Sequence, residues 1–410
     1  MPASLQHPLP GGMRDLLPEE AAQRRALAQN ILRVFGVHGY ALVTLPAFEF
    51  AEVLERGLGV LDPADVLRFV EPESGEVAAL GPDMTPQIAR LIATRLGDRP
   101  APYRLCYEGT VLRRRSGRAR KHRQIAQVGV ELAGVGEPEG DLELLEVAAR
   151  ALVATGLERF TIDLGDAGIV RSLLPASPAS IEPGAVLRAL SRKDDAELSE
   201  LVRGFEHADA LVRLTALHGG RDAALEGVRL LADTPAASSA RELLELFDAA
   251  TARGFGGHLV VDLGEVRGFA YYTGPIFHVF AQGPGEAIGS GGRYDELLGR
   301  FGAPMAAAGF ALDLDRLVWA LQAAGRLAAK EHGVVAVAAS DTRVATLRAA
   351  GVRTSVVASS DRAWEYARGW GYSHVLEGGH LVEVTTGKSF PADAGPDMDC
   401  ILDWFGRKGA

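Results

Sequence analysis

The sequence predicts an α+β fold in which helices flank an antiparallel sheet, with a helical insertion and a small C-terminal α/β domain. Strand-like segments after residue 257 follow one another closely without regular helical crossovers, which favours antiparallel pairing. The stretch from about 171 to 257 is rich in Ala, Leu, Glu and Arg at helical spacing, and from Gly333 strand and helix patterns alternate. We therefore expect domains over residues 1–325 and 333–410.

The N-terminal elements can be assigned from local signals. Pro18, followed by two glutamates, is typical of a helix start, and Gly39 ends that helix. Thr85 and Pro86 are predicted to be the N-cap and first position of a second helix. YRLCYEGTVLR and QIAQVGVELAG are predicted to be the two strands of a long hairpin. The first helix is expected to bury one face, formed by Leu27, Ile31, Val34 and Phe35.

The later elements follow the same logic. LELLEVAARALVATG is predicted to be a helix and FTIDLG a strand. After the insertion, HLVVDLG, PIFHVF, EAIGSGG and AAAGFAL are predicted strands, and LDRLVWALQAAG closes the domain as a helix. In the tail, VVAVAA, TRVATLRAAG, TSVVAS, DRAWEYARGWG and SHVLEG alternate between strand and helix. This alternation indicates a small α/β domain.

Composition excludes several classes of protein. Apolar residues make up 47% and charged residues 23%, as in ordinary globular proteins, and no apolar run approaches the roughly 18 residues of a membrane span. The first residues carry prolines and charges where a signal peptide has an apolar core. Two cysteines without paired spacing, Cys106 and Cys400, fit a reducing cytoplasm. We expect a cytoplasmic protein without cofactor, metal or membrane partner.

A concentrated basic run interrupts the hairpin. Seven of the twelve residues from Leu112 to Arg123 are Lys or Arg, although the chain carries a formal net charge of -10. This run could bind nucleic acid, a smaller anion or a partner subunit, or it could be a solvated loop. Because the overall charge is acidic, any polyanion binding has to be local.

Four constellations could carry chemistry. Gln127, Gly129 and Glu131 alternate and share one face of a strand, which could be a polar pocket or a face turned to water. Taken alone, this stretch favours a strand face that is turned to water. Asp83 and Thr85 bracket a helix start, where an acid could hold an ammonium group or complement the helix dipole. Capping is the simpler explanation.

The other two constellations lie further along the chain. Arg267 can pair with a carboxylate or phosphate, and Tyr271 and Tyr272 can wall a small aromatic ligand. An aromatic core strand with one exposed arginine is an equal alternative. Gly291 and Gly292 resemble a close-approach turn. Arg316, at the start of the last helix of the domain, can reach into a cleft lined by the sheet.

Together and in this order, these segments resemble the catalytic domain of histidyl-tRNA synthetase. The resemblance covers roughly residues 9 to 325 and rests on GGMRDLLPEE, GPDMTPQIAR, LRRRSGRARKHRQIAQVGVE, VRGFAYYTG, GGRYDELL and GFALDLDRL. It implies a class II aminoacyl-tRNA synthetase-like fold that is normally dimeric. It also implies a histidine pocket formed by Asp83, Thr85, Arg113, Gln127, Glu131, Arg267, Tyr271 and Tyr272.

The resemblance implies a role for each residue. Asp83, Thr85 and Gln127 correspond to partners of the amino group of histidine. Glu131 and Tyr272 correspond to the groups that read the imidazole nitrogens, and Tyr271 lines the pocket. Arg113 and Arg267 correspond to groups that face the carboxylate and the reacting phosphate. Arg113 also belongs, with the motif-three arginine Arg316, to a vestigial nucleotide site.

Departures from the synthetase pattern point to a paralogue. Arg115 stands where a glutamate helps to seat adenine, Gly81 replaces an arginine, and Asp83 replaces a glutamate. Residues 333–410 are short for an anticodon-binding domain and carry eight basic against nine acidic residues, which is a poor charge for gripping RNA. The chain therefore resembles more closely the regulatory subunits of short-form ATP phosphoribosyltransferase.

That family implies a non-catalytic subunit that binds free histidine and relays feedback control to the first step of histidine biosynthesis. Its partner is a separate catalytic subunit, and we expect a homodimer within a hetero-oligomer, of which a hetero-octamer is one arrangement. No tRNA binding is expected. An active histidyl-tRNA synthetase with an atypical tail is the alternative, and a binding module for RNA or protein is a third possibility.

Overall fold

The computed structural model describes residues 9–58, 66–113, 123–174, 183–266, 271–327, 333–337 and 342–392. The chain forms two compact units, Met1–Leu327 and Ala328–Ala410. None of the helices in these described ranges is both long and apolar enough to cross a membrane.

The first part of the N-terminal unit ends in a long hairpin. Its elements are α1 (Pro18–Val37), β1 (Ala41–Leu42), β2 (Phe48–Phe50), α2 (Ala51–Leu58), β3 (Arg68–Val70), β4 (Val77–Leu80), α3 (Thr85–Arg95), β5 (Tyr103–Leu112) and β6 (Gln124–Ala133). The middle part is mostly helical and contains α4 (Glu139–Ala154), β7 (Phe160–Asp166), α5 (Ala167–Leu173), α6 (Pro183–Arg192), α7 (Asp195–Leu201), α8 (Ala208–Leu214), β8 (His218–Gly219), α9 (Arg221–Leu230) and α10 (Ala237–Ala252). The last part contains β9 (Leu259–Asp262), β10 (Pro275–Ala281), β11 (Gly289–Arg293), β12 (Ala307–Asp313) and α11 (Leu314–Ala323).

A mixed nine-stranded sheet organises this unit, in the order β1-β5-β6-β12-β11-β10-β7-β9-β8. The predicted α+β class is confirmed, but the sheet is not purely antiparallel, because β1 pairs parallel with β5 and β7 with β9. Parallel neighbours need a long crossover. The helices between β7 and β9 supply one, so the predicted helical stretch also determines the direction of a strand pairing.

The two faces of the central strands differ in chemistry. In β6, Val128, Val130 and Leu132 point into the main core, where the strand packs against α1 and α11. Gln127, Gly129 and Glu131 must therefore point to the opposite face, because successive side chains of a strand alternate. Helix packing on one side thus leaves the polar residues of β6 together on the other.

The start of α1 is as predicted. Pro18 occupies its first turn with Glu19 and Glu20, and Gly39 adopts the left-handed backbone conformation that ends the helix. Thr85, by contrast, is not the N-cap of α3. Met84 holds that position, and the Thr85 hydroxyl donates a hydrogen bond to Glu131 instead.

The C-terminal unit is a small α/β domain. Its elements are β13 (Gly333–Val337), α12 (Thr342–Ala349), β14 (Arg353–Val357), α13 (Ser360–Gly369), β15 (His374–Glu377), β16 (His380–Glu383) and β17 (Ser389–Pro391). β13 pairs parallel with β14 and β15, as the strand–helix alternation predicts, and β15, β16 and β17 continue the sheet antiparallel. Residues 393–410 lie outside the described ranges.

A buried acid makes the stability of the fold depend on pH. Asp166 caps α5 by accepting the N–H of Gly168 at 2.7 Å, and burial, with smaller contributions from Glu137 and Glu242, raises its pKa to about 7. Between the ordinary pKa of 3.8 and about 7, the native state holds a proton that the unfolded chain releases. Stability therefore falls as pH rises through this window, by at most about 4 kcal/mol.

We expect Asp166→Asn to remove this pH dependence. Asparagine caps a helix as well as aspartate does but carries no charge to desolvate. Urea unfolding should find the variant more stable than the wild-type protein at pH 8 and similar to it at pH 4. If the free energies of unfolding of the variant and the wild-type protein differ by the same amount at pH 8 and at pH 4, the raised pKa is contradicted.

Candidate functional site

The polar face of β6 is buried, contrary to the preferred interpretation from its sequence alone. Gln127 and Glu131 are 7% and 4% exposed, although each carries a polar group. β5 and β12 flank β6, and other site residues cover this face. The alternation is as predicted, but the face does not turn to water.

Only one of the two carboxylate oxygens of Glu131 has a hydrogen-bond partner. Its Oε1 accepts a hydrogen bond of 2.8 Å from the hydroxyl of Thr85, whereas its Oε2 is buried and has no hydrogen-bond partner. Burial raises the pKa of Glu131 well above its ordinary value. The Thr85 hydrogen bond opposes this shift, and the charge of Asp83 adds to it. The site therefore offers one oxygen to an N–H donor.

Three tyrosines form an aromatic wall next to this oxygen. The rings of Tyr271 and Tyr272 lie 4.4 Å apart, and Tyr294 lies 5.8 and 6.4 Å from them. The Tyr294 hydroxyl is buried without a hydrogen-bond partner. Burial is the first cause that raises the pKa of Tyr271 and of Tyr272, so both phenols stay neutral.

Glycines on adjacent strands make room for these side chains. A methyl group on Gly309 would collide with Glu131 Oε2 and would lie 2.5 Å from the Tyr294 hydroxyl. A methyl group on Gly292 would lie 2.9 Å from the Tyr272 ring. Gly292 lies inside β11 and directly opposite Gly309, so the predicted close-approach turn at this position is wrong.

Gly129 likewise makes room for a tyrosine, one that was not predicted from the sequence to belong to the site. Tyr107 is its direct partner across the β5–β6 hairpin, and its phenol covers the glycine, 2.5 Å from where a Cβ would lie. Burial and then the charge of Glu131 raise the pKa of Tyr107. A tyrosine opposite a strand glycine is a recognisable pairing, since the ring fills the space of the missing side chain. Tyr294 was missed although it belongs to the GGRYDELL segment.

The loop before α3 carries the next predicted residues. Asp83 accepts the backbone N–H of Thr85, the first residue of α3, at 3.0 Å, although the N-cap of that helix is Met84. Its second oxygen lies 3.5 Å from a guanidinium nitrogen of Arg113, and Arg113 also donates to the carbonyl of Pro82 at 2.8 Å. Asp83, Thr85, Arg113 and Glu131 are therefore linked by direct contacts.

A cavity of about 530 Å³ adjoins these residues. Arg113, Gln127 and Arg316 line it, so the two arginines assigned to a vestigial nucleotide site border the same space. Arg316 is held by carboxylates, in an ion pair with Glu286 and with its Nε 3.2 Å from Asp313. These carboxylates offset the positive charge of Arg316, which a phosphate group would need for binding.

Three buried acids elsewhere are close enough to suggest a metal. Carboxylate oxygens of Asp163, Asp262 and Glu265 lie within 4.8 Å of one another. However, Lys193 donates to Asp262 at 2.5 Å, and a ring nitrogen of His278 lies 3.7 Å from Glu265. Two of the three acids are thus paired with basic groups of the protein, which lowers the cost of burying their charge. Arg267, the remaining predicted pocket residue, lies outside the described residues, as does Arg115.

Comparison with known proteins now gives the class. A family model for histidyl-tRNA synthetase matches residues 12–317. A solved histidyl-tRNA synthetase from Nostoc sp. PCC 7120 has the same fold, with a TM-score of 0.77, 21% identity and coverage of 99% of this chain and all of that one. The fold and the family model therefore define a class II synthetase-like protein.

Curated relatives give the particular family. The ATP phosphoribosyltransferase regulatory subunit of Geobacter sulfurreducens is 34% identical over 96% of this chain and 98% of its own length. That of Anaeromyxobacter dehalogenans strain 2CP-1 is 44% identical over 80% and 94%. A Bacillus halodurans structure, described as such a subunit or a histidyl-tRNA synthetase, matches with a TM-score of 0.77 and 28% identity over 91% and 98%. The chain belongs to the family of ATP phosphoribosyltransferase regulatory subunits. Membership gives it a regulatory, non-catalytic role, as predicted.

Proposed function

We propose that the pocket between β6, α3 and the aromatic wall binds free histidine. The observation that carries this proposal is the buried Oε2 of Glu131, which has no hydrogen-bond partner and adjoins the Tyr294 hydroxyl over Gly309. An imidazole presents a donor and an acceptor on opposite sides of a flat ring. Glu131 and a tyrosine hydroxyl can satisfy both, and the aromatic wall can cover the ring.

The polar end of histidine fits the rest of the site. Asp83, Thr85 and Gln127 offer a carboxylate, a hydroxyl and an amide oxygen to the ammonium group. Arg113, already 3.5 Å from Asp83, offers a guanidinium to the carboxylate. We assign Arg267 to the same carboxylate from the family resemblance alone.

Histidine binding would regulate a separate enzyme. We propose that this chain assembles with an ATP phosphoribosyltransferase catalytic subunit in the cytoplasm and relays feedback control of the first step of histidine biosynthesis. Histidine can shift the complex only as far as its affinities for the two arrangements differ. Co-purification with the catalytic subunit, assayed with and without histidine, tests this assembly.

Isothermal titration of the isolated chain tests the binding step. We expect L-histidine to bind with measurable heat, and histidinol, which lacks the carboxylate, to bind more weakly. Absence of histidine binding by the folded protein would refute the proposal. Glycine, which has an ammonium and a carboxylate but no ring, is the matched negative ligand.

An active synthetase is the second candidate, because Arg113 and Arg316 border one cavity beside the histidine pocket. The ion pairs of Arg316 with Glu286 and Asp313 argue against it, since they compete with a phosphate for the guanidinium. Histidine-dependent ATP–pyrophosphate exchange distinguishes the two functions. We expect none above background.

The small sheet β2-β4-β3 offers a surface for a second copy of this chain. Phe50 and Phe69 are both direct partners of Ala78 on β4 and lie on one face with Phe48, whose ring is 5.2 Å from that of Phe69. The three rings stay 38–44% exposed, while the other face of the sheet packs on α2. We propose that this phenylalanine face, defined by Phe48, Phe50 and Phe69, forms a homodimer contact within the hetero-oligomer.

We expect the double substitution Phe48→Ser, Phe69→Ser to give a monomer, because each ring would otherwise bury apolar area on association. Sedimentation at micromolar concentration measures the mass. Trp319→Ser, which changes an exposed aromatic residue on α11, is the matched control and should leave the dimer intact. A dimer that survives the double substitution would contradict this interface.

A further inference from the structure

Arg293, at the end of β11, is the largest fully buried side chain of the described residues. A buried guanidinium is costly unless its donors are satisfied, and an apolar residue of similar volume often gives an equally stable protein. The position of Arg293 therefore calls for an explanation beyond filling the core.

Three acids surround this guanidinium. Asp141, in the first turn of α4, accepts from its Nε at 3.1 Å and from one terminal nitrogen at 2.8 Å. Asp295 accepts from the other terminal nitrogen at 3.0 Å, and Glu137 lies 3.1 Å from Nε. Arg293 thus joins the end of β11 to the start of α4.

The same residues tie together the segments that carry the aromatic wall. The carbonyl of Arg293 accepts the N–H of Thr273 at 2.7 Å, and the Thr273 hydroxyl accepts the N–H of Asp295 at 3.0 Å. Asp295 Oδ1 also accepts the N–H of Ala307, the first residue of β12, at 2.8 Å. Tyr272 directly precedes Thr273, and Tyr294 lies between Arg293 and Asp295.

We propose that Arg293 and Asp295 are positioning residues that hold Tyr272 and Tyr294 against Glu131. Asp295 Oδ1 binds Arg293 and β12 at once, so its loss frees the turn that carries Tyr294 while Asp141 still neutralises the buried guanidinium. A shift of about 1 Å in such a wall is enough to weaken a site. This inference rests on the proposed histidine site.

The test compares two substitutions at Asp295 by histidine titration at 20 °C. Asp295→Asn retains an oxygen that can accept from Ala307 and Arg293, and it should bind histidine within threefold of the wild-type protein. Asp295→Ala removes both hydrogen bonds and should bind at least tenfold more weakly. Asp248→Ala is the matched control, because it breaks another Arg–Asp pair, with Arg221 at 2.7 Å on the surface. It should not change the dissociation constant.

Thermal unfolding of the same variants separates positioning from mere stability. A wild-type dissociation constant for Asp295→Ala, even with a lower melting temperature, would overturn the inference. Equal weakening by Asp295→Asn and Asp295→Ala would also overturn it. If the wild-type protein itself fails to bind histidine, the proposed function falls. The near-ultraviolet tyrosine signal of the unliganded proteins then decides the inference, which requires a change in Asp295→Ala but not in Asp295→Asn.

Discussion

Replacing Glu131 with glutamine is expected to raise the dissociation constant for histidine about 100-fold. The carboxylate is the one acid in the described part of the pocket with a buried oxygen that has no hydrogen-bond partner. We expect the imidazole N–H to bind the ionised form of Glu131, which holds a proton only in the unliganded protein. A hydrogen bond to a charged group contributes about 1.5–3 kcal/mol, and a neutral amide gives up most of that. Isothermal titration measures the change.

The same substitution should stabilise the unliganded protein. Burial raises the pKa of Glu131, so the native state holds a proton that the unfolded chain releases once pH exceeds the ordinary value of 4.5. Stability is therefore lost as pH rises from there, and glutamine avoids this loss. Urea unfolding at pH 8 should show a higher free energy of unfolding for Glu131→Gln. Glu108→Gln, on neighbouring β5, is the control, because Glu108 forms a more exposed ion pair with Arg25.

Undiminished histidine binding by Glu131→Gln would remove Glu131 from the pocket. Weaker binding together with lower stability would instead indicate that the carboxylate mainly supports the fold through Thr85. Weaker binding with higher stability is the result that the geometry predicts, and it is the usual signature of a residue retained for function at a cost in stability.

Replacing Gly309 with alanine is expected to abolish histidine binding at millimolar concentration. The added methyl group would occupy the space of Glu131 Oε2 and would lie 2.5 Å from both the Tyr294 hydroxyl and the carbonyl of Val130. Because real carbon atoms do not approach so closely, Glu131 and Tyr294 must move apart or β12 must shift from β6. Either movement disrupts the arrangement of Glu131 and the Tyr294 hydroxyl at the aromatic wall.

Titration and circular dichroism together give the result for Gly309→Ala. A native far-ultraviolet spectrum with lost histidine binding is expected, along with a lower melting temperature from the strain on β12. Gly257→Ala is the matched control, since nothing lies within 4 Å of its added methyl group. Wild-type affinity in Gly309→Ala would contradict the place of Glu131 Oε2 in the binding site.

The two arginines of the vestigial nucleotide site illustrate what residue identity leaves open. Both Arg113 and Arg316 line one cavity beside the proposed histidine pocket, and their assignment to a nucleotide site stays a prediction. Whether they still attract phosphate depends on their neighbours. Glu286 lies 30 residues from Arg316 in the chain, and only the folded sheet brings its carboxylate to the guanidinium.

Local patterns were sufficient for most elements. Proline with acids at the start of α1, alternation along β6, and the strand–helix order of the tail each depend on interactions between residues close in sequence. Those interactions are the same in any fold. The parallel pairings of β1 and β7 were missed because they depend on where long connections return the chain.

By itself, the sequence determined the class of fold and the shared face of Gln127 and Glu131, and it supplied the residues of the proposed histidine site. The tertiary structure alone decided that this face is buried and that Thr85 bonds Glu131 from 46 residues away instead of capping its helix. It also decided that glycines on adjacent strands make room for Glu131, Tyr107, Tyr272 and Tyr294. The physical reason is that burial and close contact arise when distant strands pack together, and no local pattern records which neighbours they will meet.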